Sequence, residues 1–403
     1  MRRPPIRAPG KCVAALVLAL ASAQMGCAGA GHGYPCGLDG GSCTLNLPDG
    51  GATSPDFMAA PVVVWHDGLS NSATDVVLFN GNLYAGFRHA QSWGPDAAAQ
   101  IYLARSGNQG ATWQKTAALS VAGQDVRQPK LAVFNGSLWV FATAWDTSDP
   151  SAHRTTLRAA ASLDGQTFSP LAPVTIGQSG GLDLWRPRLL GSQLYLSVWK
   201  TDELFPASAP NGLALYATAD GKAFAGASTP ALGPGARQGE LVVRASGDRW
   251  LTVPERQDGA GAQQQTFCHA APSSGNPDWS CWSVAGARVD GPALFEYGSV
   301  LYLAGRREVG GGRARTSVWQ VLEADKDLSL IADVTSSFGD TGAPGVVALD
   351  DSHALLTFHT TSALDPGVTA LGHEPTLVEA ESQGFASDVF SVVLYMPSAA
   401  AGR

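Results

Sequence analysis

Charged and aromatic side chains recur at one end of a series of predicted β-hairpins. In an antiparallel hairpin, the start of the first strand and the end of the second lie at the same end. The residues at these positions are Asp75 and Arg88, Arg127 and Trp145, Arg186 and Trp199, Glu240 and Arg256, Asp290 and Arg306, and Ala343 and His359. Guanidinium groups bind carboxylates bidentately and stay charged at any working pH. The set predicts one polar, largely cationic opening.

Six hairpins are predicted to position these residues. Their strand pairs are 75–80 with 83–88, 130–135 with 138–143, 187–190 with 194–199, 241–244 with 250–256, 293–296 with 301–306, and 345–349 with 354–359. Turns such as Asn80-Gly81 and Asn135-Gly136 have the residues that two-residue hairpin loops need. Six such units predict an all-β, six-bladed β-propeller. We expect residues 61–65 to add the outermost strand of the last blade, beside 390–395, so that no sheet edge stays open.

A turn motif repeats at a fixed interval and supports the same architecture. Copies begin at Ser106, Ser162, Thr218 and Ser274, each 56 residues after the one before. Each has a hydroxyl residue, an Asp or Asn two positions later, and an aromatic ring shortly after; the first three also have a glycine. This composition is typical of tight turns in which the Asx side chain bonds nearby backbone N–H groups. A period of about 50 residues in a β-rich chain indicates a propeller.

Composition limits the class of protein. The chain has 403 residues, with 47 Gly, 25 Pro and a net charge of −8. A negative charge without a basic run argues against nucleic acid as a partner. We expect no metal site, because no CxxC pair or His-rich segment accompanies the cysteines. We also expect a monomer without a cofactor.

The N-terminus predicts export. Basic residues precede a short apolar run at 13–21, as in a signal peptide. The segment ends either at Ala21-Ser22-Ala23 or before Cys27, which would then be lipidated and anchor the protein at the cell surface; otherwise the protein is secreted. Two short-range pairs, Cys36 with Cys43 and Cys268 with Cys281, leave Cys27 alone and favour lipidation. The predicted division is 1–26 signal peptide, 27–58 Gly-rich tether with a small disulfide loop, and 59–397 propeller.

The repeated turns resemble the Asp boxes of the sialidase superfamily, six-bladed propellers that act on acidic glycans. Segments 124–131 and 185–189 are similar to inner strands of these proteins. The resemblance implies three arginines that bind the sialic acid carboxylate, a Tyr nucleophile assisted by a Glu, and an Asp acid/base. Glu240, Arg256 and Arg306 resemble the Glu and two of the arginines. Asp75 and Asp96 are candidates for the acid/base.

Two departures from this family pattern leave a second function open. The Arg-x-Pro segment expected near Ala60-Pro61 is missing, so Arg88 is a substitute candidate for the first arginine. Ala343 stands where related chains have the Tyr nucleophile. The first hypothesis is a hydrolase that cleaves a terminal acidic sugar bound by Arg127, Arg256 and Arg306. The second is a surface propeller that binds a glycan or a protein without catalysis.

Structural roles are the alternative for several of these residues. Arg127, Arg186 and Arg188 can bridge neighbouring blades by bonding strand-end carbonyls. Glu240 and Arg256 can form a mutual ion pair, and Asp290 can be a turn residue. Trp145 and Trp199 are candidates for stacking on a sugar ring.

Overall fold

The computed structural model describes residues 34–36, 41–43, 57–148, 154–177, 181–200, 212–233, 235–256, 263–272 and 277–396. The chain divides into two compact units, Met1–Leu45 and Asn46–Arg403. In the first unit, strands β1 (Tyr34–Cys36) and β2 (Gly41–Cys43) pair antiparallel. The predicted signal segment, Cys27, and the side chains of Cys36 and Cys43 lie outside the described residues.

Four sheets in the second unit are separate, and each is antiparallel. They consist of β8 (Gln124–Phe134), β9 (Ser137–Asp146), β10 (Thr155–Ser162) and β11 (Ala172–Pro173); of β12 (Leu182–Leu184), β13 (Arg188–Leu190), β14 (Gln193–Lys200), β15 (Leu213–Thr218) and β16 (Ala225–Gly226); of β17 (Glu240–Val243), β18 (Arg249–Arg256), β19 (Gln263–Ala270) and β20 (Ser280–Ala285); and of β21 (Asp290–Tyr297), β22 (Val300–Val309), β23 (Arg313–Leu322) and β24 (Asp327–Asp333).

The remaining strands form one eight-stranded sheet. Its members are β3 (Val62–Trp65), β4 (Ser70–Phe79), β5 (Asn82–Ala90), β6 (Gln100–Ser106), β7 (Gln114–Leu119), β25 (Gly342–Ala348), β26 (His353–Thr361) and β27 (Ser387–Tyr395). β4 and β27 meet through a single parallel pair, Ser70 with Ser387. The Ser387 hydroxyl accepts from the Asn71 N–H and donates to the Asn71 carbonyl, both at 2.8 Å.

The chain is an all-β protein with a propeller arrangement, but the expected six separate blades are not found. Four blades stand as separate sheets, because the backbone pair between Ser70 and Ser387, in which the Ser387 N–H donates to the Leu69 carbonyl at 3.0 Å, merges the other strands into one sheet. The predicted closing strand is present: β3 pairs antiparallel with β27, with Trp65 opposite Val389. The strand that begins each of the six hairpins is called its first strand. These first strands contact one another in a closed series: β4 with β8, β8 with β13, β13 with β17, β17 with β21, β21 with β25, and β25 with β4.

The hairpin turns have the predicted backbone. Asn80 and Gly81 have φ values of 48° and 74°, and Asn135 and Gly136 have 49° and 71°. Two consecutive left-handed residues define the hairpin turn whose twist matches that of the strands.

The hydroxyl–Asx turns join neighbouring sheets. In the second copy, Asp164 Oδ1 accepts from the N–H groups of Gln166 and Thr167 at 2.8 and 2.7 Å. Gly165 has φ 72°, and a Cβ added there would lie 2.2 Å from Tyr84 Oη. The turn therefore packs against the preceding sheet at a distance that only glycine allows. Phe168 and Phe224 also pack into the apolar layers between sheets.

Two short helices, which the strand pattern did not predict, lie between β26 and β27. In α1 (Pro366–Leu371), the Asp365 side chain caps the first turn, and Gly372 ends it in the left-handed conformation. In α2 (Leu377–Gln383), Thr376 and Glu379 form a capping box and Gly384 ends the helix. The buried Arg315 guanidinium bonds both carboxylate oxygens of Glu374, in the loop between the helices, and so attaches this segment to β23.

Candidate active site

The first strands bulge where they face the ring interior. Their pairing shifts register between Ser72 and Asp75, Arg127 and Lys130, Asp290 and Ala293, and Gly342 and Gly345. The residues with left-handed φ at or beside these points are Ala73, Gln128, Gly291 and Ala343, and Gln238, just before β17, has the same conformation. A β-bulge re-aims side chains, and left-handed non-glycine residues cost on the order of 1–3 kcal/mol each. Such strain clusters at functional sites.

These bulges surround a cavity of about 310 Å³, called here the axial cavity. Its charged or titratable lining consists of Arg88, Arg127, Arg237, Arg306, Asp290, Asp340, Glu381 and His359. Trp93 supplies aromatic surface, whereas Trp185, which also lines the cavity, is only 1% exposed. The structure thus brings together the sequence-predicted Arg88, Arg127, Arg306, Asp290 and His359, which come from different strands.

Asp75, Arg186 and Glu240 do not line the cavity, so their predicted role at its mouth is not supported by the geometry. Arg186 Nε donates to Asp75 Oδ1 at 2.8 Å, and its Nη1 donates to Glu240 Oε2 at 2.7 Å. Arg186 also donates to the Pro344 carbonyl at 2.6 Å, so one guanidinium ties together strands that are distant in sequence. The carboxylates are fully buried, and they raise the pKa of Arg186 although its burial lowers it.

The side chains of Trp145 and Trp199, which we predicted to stack on a sugar ring, are buried. Trp145 is 2% exposed and lies under the Arg127 guanidinium, 5.3 Å from ring centroid to Cζ. Trp199 is buried in the apolar cluster that includes Leu213 and Leu251. Neither side chain is among the residues that line the axial cavity. Arg256 is the last residue of β18, and its side chain lies outside the described residues.

One wall of the cavity is built on Asp125. This buried carboxylate accepts from Arg88 Nε and Nη2, both at 2.9 Å, and from Arg127 Nε at 2.8 Å. Arg127 Nη2 donates to the carbonyls of Trp93 and Gly94 at 3.0 and 2.8 Å. Burial, together with the charge of Arg88, lowers the pKa of Arg127 to about 10, so it remains cationic at neutral pH.

Other residues of the cavity lining hold carboxylates against further arginines. Asp290 Oδ1 accepts from Arg288 Nε at 2.9 Å, and Asp290 Oδ2 lies 3.5 Å from Arg306 Nη2. Burial alone raises the pKa of Asp290, but the nearby guanidinium groups of Arg306, Arg288 and Arg237 hold it below its ordinary value.

Asp340 and Glu381 are shifted in opposite directions. Asp340 accepts from Arg306 Nη1 at 3.3 Å and lies 3.6 Å from His359 Nε2. Burial raises the pKa of Asp340, but His359 and Arg306 bring it below the ordinary value. Burial and the negative charge of Asp340 raise the pKa of Glu381. The pKa of Asp340 is therefore lowered and that of Glu381 raised, and general acid–base catalysis uses pairs of carboxyl groups whose pKa values are separated in this way.

Metal and membrane features are not found in the described part of the chain. No group of three or more His, Cys, Asp or Glu among these residues could hold a metal ion. No helix there is long and apolar enough to cross a membrane. Cys268 and Cys281 are joined by a disulfide between β19 and β20.

Comparison with known proteins shows the fold. No protein-family model and no curated protein matches the chain. A protein of unknown function from Dyadobacter fermentans DSM 18053 superposes with a TM-score of 0.63 at 15% identity, over 84% of this chain and 98% of that one. Penicillium chrysogenum α-L-arabinanase, complexed with arabinobiose, gives 0.57 at 14%, over 83% and 98%. Trypanosoma rangeli sialidase gives 0.53 at 11%, over 80% of this chain and 54% of its own. The chain thus shares a β-propeller fold with glycoside hydrolases.

Sequence reasoning missed Arg237, Gln238, Asp340 and Glu381. A signal for the first two was present, because Arg237-Gln238-Gly239-Glu240 repeats the pattern of Arg127-Gln128-Pro129-Lys130 at the start of another first strand. Glu381 had only the signals of its helix, the Thr376–Glu379 capping box and Gly384. Nothing in those signals places the helix over the cavity.

Proposed function

We propose that the protein is a glycoside hydrolase that cleaves a terminal acidic sugar in the axial cavity. The observation that carries the proposal is that Asp340, Glu381 and several arginines line one cavity. The lowered pKa of Asp340 and the raised pKa of Glu381 agree with it. Glycoside hydrolysis needs one carboxylic acid to protonate the leaving oxygen and one carboxylate as base or nucleophile. The fold shared with glycoside hydrolases agrees with this proposal.

Glu381 is the proposed general acid and Asp340 the proposed carboxylate partner. Glu381 keeps its proton to a higher pH than an ordinary glutamate and can donate it to the glycosidic oxygen. Asp340 stays ionised because Arg306 and His359 stabilise its charge. His359 Nδ1 accepts from the Ala73 N–H at 3.4 Å, which leaves the imidazole proton on Nε2, facing Asp340.

The acidic group of the sugar would meet Arg127, Arg237 and Arg306. All three line the axial cavity, and Arg237 replaces Arg256 in the proposed set because the Arg256 side chain is outside the described residues. Trp93 offers apolar surface on which a sugar ring can pack. The structural neighbours include a sialidase, that of Trypanosoma rangeli, and for this reason we propose a sialoside as the substrate.

Asp75 and Glu240 are assigned a structural role. Their bonds to Arg186 join β4, β17 and the Pro344 carbonyl of β25. We further propose that the eight-stranded sheet acts as two blades, β4–β7 and β25–β27 with β3. The closed series of first-strand contacts supports six sectors around the cavity.

Binding without catalysis is the second candidate. Ala343 lies at the cavity in the left-handed conformation, with φ 44°, and none of the described residues that line the cavity is a tyrosine. A retaining sialidase mechanism therefore has no Tyr nucleophile in the cavity wall. In that case the same pocket would hold an acidic glycan or a glycoconjugate without cleaving it.

Export and lipidation at Cys27 remain proposals that rest on the sequence, as does the monomeric state. They fit an enzyme that meets glycans outside the cell.

A panel of fluorogenic glycosides tests the proposed activity. It contains an α-sialoside, a β-glucuronide and an α-L-arabinofuranoside, the last because the arabinanase is a structural neighbour. We expect turnover of an acidic glycoside, and a loss of about 10²–10⁴-fold in Glu381→Gln and in Asp340→Asn. Glu308→Gln, an exposed glutamate on β22, is the control and should leave the rate unchanged. Absence of turnover together with measurable sugar binding would favour the second candidate.

A further inference from the structure

Two polar atoms of the cavity residues are buried without a hydrogen-bond partner among the described residues: Gln128 Oε1 and Arg306 Nε. One is an acceptor and the other a donor. A buried polar atom without a partner costs about 1–3 kcal/mol, and its presence in a native protein calls for an explanation such as a ligand or a water. Both residues line the axial cavity, so a bound molecule can supply the missing partners once a side-chain rotation exposes these two atoms.

A hydrogen bond to Asp183 fixes the orientation of the Gln128 amide. Its Nε2 donates to Asp183 Oδ2 at 3.0 Å. The other oxygen of Asp183 accepts from the Thr143 hydroxyl and from the Leu184 N–H. An ionised carboxylate accepts only, so it holds the NH₂ end of the amide and leaves the carbonyl end as the free acceptor.

The backbone holds the same side chain at the cavity. Gln128 has φ 51° at the bulge of β8, and Pro129 follows it. The conformation is one that non-glycine residues adopt at a cost, and it turns this position toward the interior of the ring. The side chain is thus oriented twice, by the bulge and by Asp183.

We propose that Gln128 is a specificity-determining residue whose Oε1 accepts a hydrogen bond from a hydroxyl group of the sugar in the axial cavity, with Asp183 as the residue that positions the amide. The inference rests on the proposed function for the sugar, but not on catalysis. It assigns to the pocket a neutral polar contact in addition to its charges, so recognition requires a correctly placed hydroxyl as well as an acidic group.

Binding of 3′-sialyllactose and of arabinobiose to the full chain, measured by calorimetry, tests the inference. Measurements at about pH 8 keep Asp183 ionised, since burial raises its pKa to about 6. Gln128→Met should lower the affinity for whichever of the two sugars binds by roughly tenfold, because the sugar hydroxyl then loses its acceptor and is left without a hydrogen bond. One monodeoxy analogue of that sugar should bind the wild type about tenfold more weakly than the parent sugar does. The same analogue and the parent sugar should bind Gln128→Met with equal affinity.

Asp183→Asn tests the positioning role. An asparagine can either donate to or accept from the Gln128 amide, so both orientations become allowed and affinity should fall several-fold. In the Gln128→Met background the same change should have no further effect on affinity. Additive losses would show that Asp183 acts by another route and would overturn its assignment.

Gln265→Met is the matched control. Gln265 is a fully buried glutamine whose Nε2 donates to Thr252 Oγ1 at 2.8 Å and whose Oε1 accepts from the Val289 N–H at 3.0 Å. Its loss should lower stability and leave sugar affinity unchanged. Binding without turnover would overturn only hydrolysis, whereas an unchanged affinity in Gln128→Met would overturn only this inference. Binding of arabinobiose but not of 3′-sialyllactose would overturn the requirement for an acidic group, and if neither sugar binds, both proposals fail.

Discussion

Arg186 Nη1 donates to Glu240 Oε2 at 2.7 Å, and both side chains are buried. Glu240 also bonds Arg188, and Arg186 also bonds Asp75, so the carboxylate with the strongest family resemblance is occupied by guanidinium groups. A carboxylate held in this way contributes to the assembly of the ring rather than to chemistry in the axial cavity.

Glu240→Gln should therefore destabilise the fold. The change keeps the shape but leaves the buried Arg186 with one carboxylate instead of two, and breaking a buried pair costs about 3–5 kcal/mol. The free energy of unfolding from urea titration measures this loss, with Glu308→Gln expected within about 0.5 kcal/mol of the wild type. A Glu240→Gln protein that is as stable as the wild type but inactive would instead support the catalytic role predicted from the sequence.

Lys130 should make stability rise with pH. Burial, with the nearby Arg186 charge, lowers the pKa of the folded-state amine to about 7. The unfolded chain keeps this proton up to about pH 10.4, so between these values the unfolded state binds more protons and alkali favours folding. Lys130→Met should flatten the slope of unfolding free energy against pH between about 7 and 9.5, while the exposed Lys222→Met should not. An identical slope in Lys130→Met would contradict a displaced Lys130.

Gly165→Ala should weaken the contact between neighbouring sheets. The added methyl would meet Tyr84 Oη at 2.2 Å, and the residue has φ 72°, so the backbone cost of about 1 kcal/mol and the clash add together. Gly191→Ala is the control, because it has φ 61° and no atom within 4 Å of the new Cβ. Thermal unfolding should show a larger loss for Gly165→Ala, and Tyr84→Leu should recover part of it. Equal losses would mean that the turn does not pack closely.

Arg127→Lys separates binding from support. A lysine cannot reproduce the forked bonds to Asp125 and to the Trp93 and Gly94 carbonyls, or approach a carboxylate bidentately. We expect affinity for 3′-sialyllactose to fall by about tenfold or more, with less effect on lactose. Arg154→Lys, at an exposed position, should change neither. Equal losses for both sugars would show that Arg127 only supports the cavity wall.

The sequence predicted the strands better than the roles of their residues. Hairpin pattern and turn chemistry place Arg88, Arg306 and His359 at one end of their strands, and the structure brings them to one cavity. The same pattern cannot tell a side chain that enters the cavity from one that is bonded behind it. Arg186 and Glu240 are bonded behind the cavity wall, which the pattern could not show because their partners come from sheets distant in sequence.

The position of Glu381 at the cavity could not be predicted from the strand pattern. It lies on α2, and the helical segment is attached to β23 through Arg315 and Glu374, residues 59 positions apart. Its raised pKa depends on Asp340 and on burial, which only the folded chain supplies. The number of separate sheets was also missed, since the merging of two groups of strands depends on the single backbone pair between Ser70 and Ser387, which are distant in sequence.

The central claim is that Glu381 and Asp340 share the proton chemistry in the axial cavity, and the pH dependence of kcat/KM tests it most directly. Asp340 must be ionised, and its lowered pKa places the acidic limb below the ordinary aspartate range. Glu381 must be protonated, and its raised pKa places the alkaline limb above the ordinary glutamate range. We predict a bell-shaped profile that loses its alkaline limb, together with most of its height, in Glu381→Gln. A profile whose alkaline limb is unchanged in Glu381→Gln, or a wild-type protein without turnover at any pH, would contradict the account.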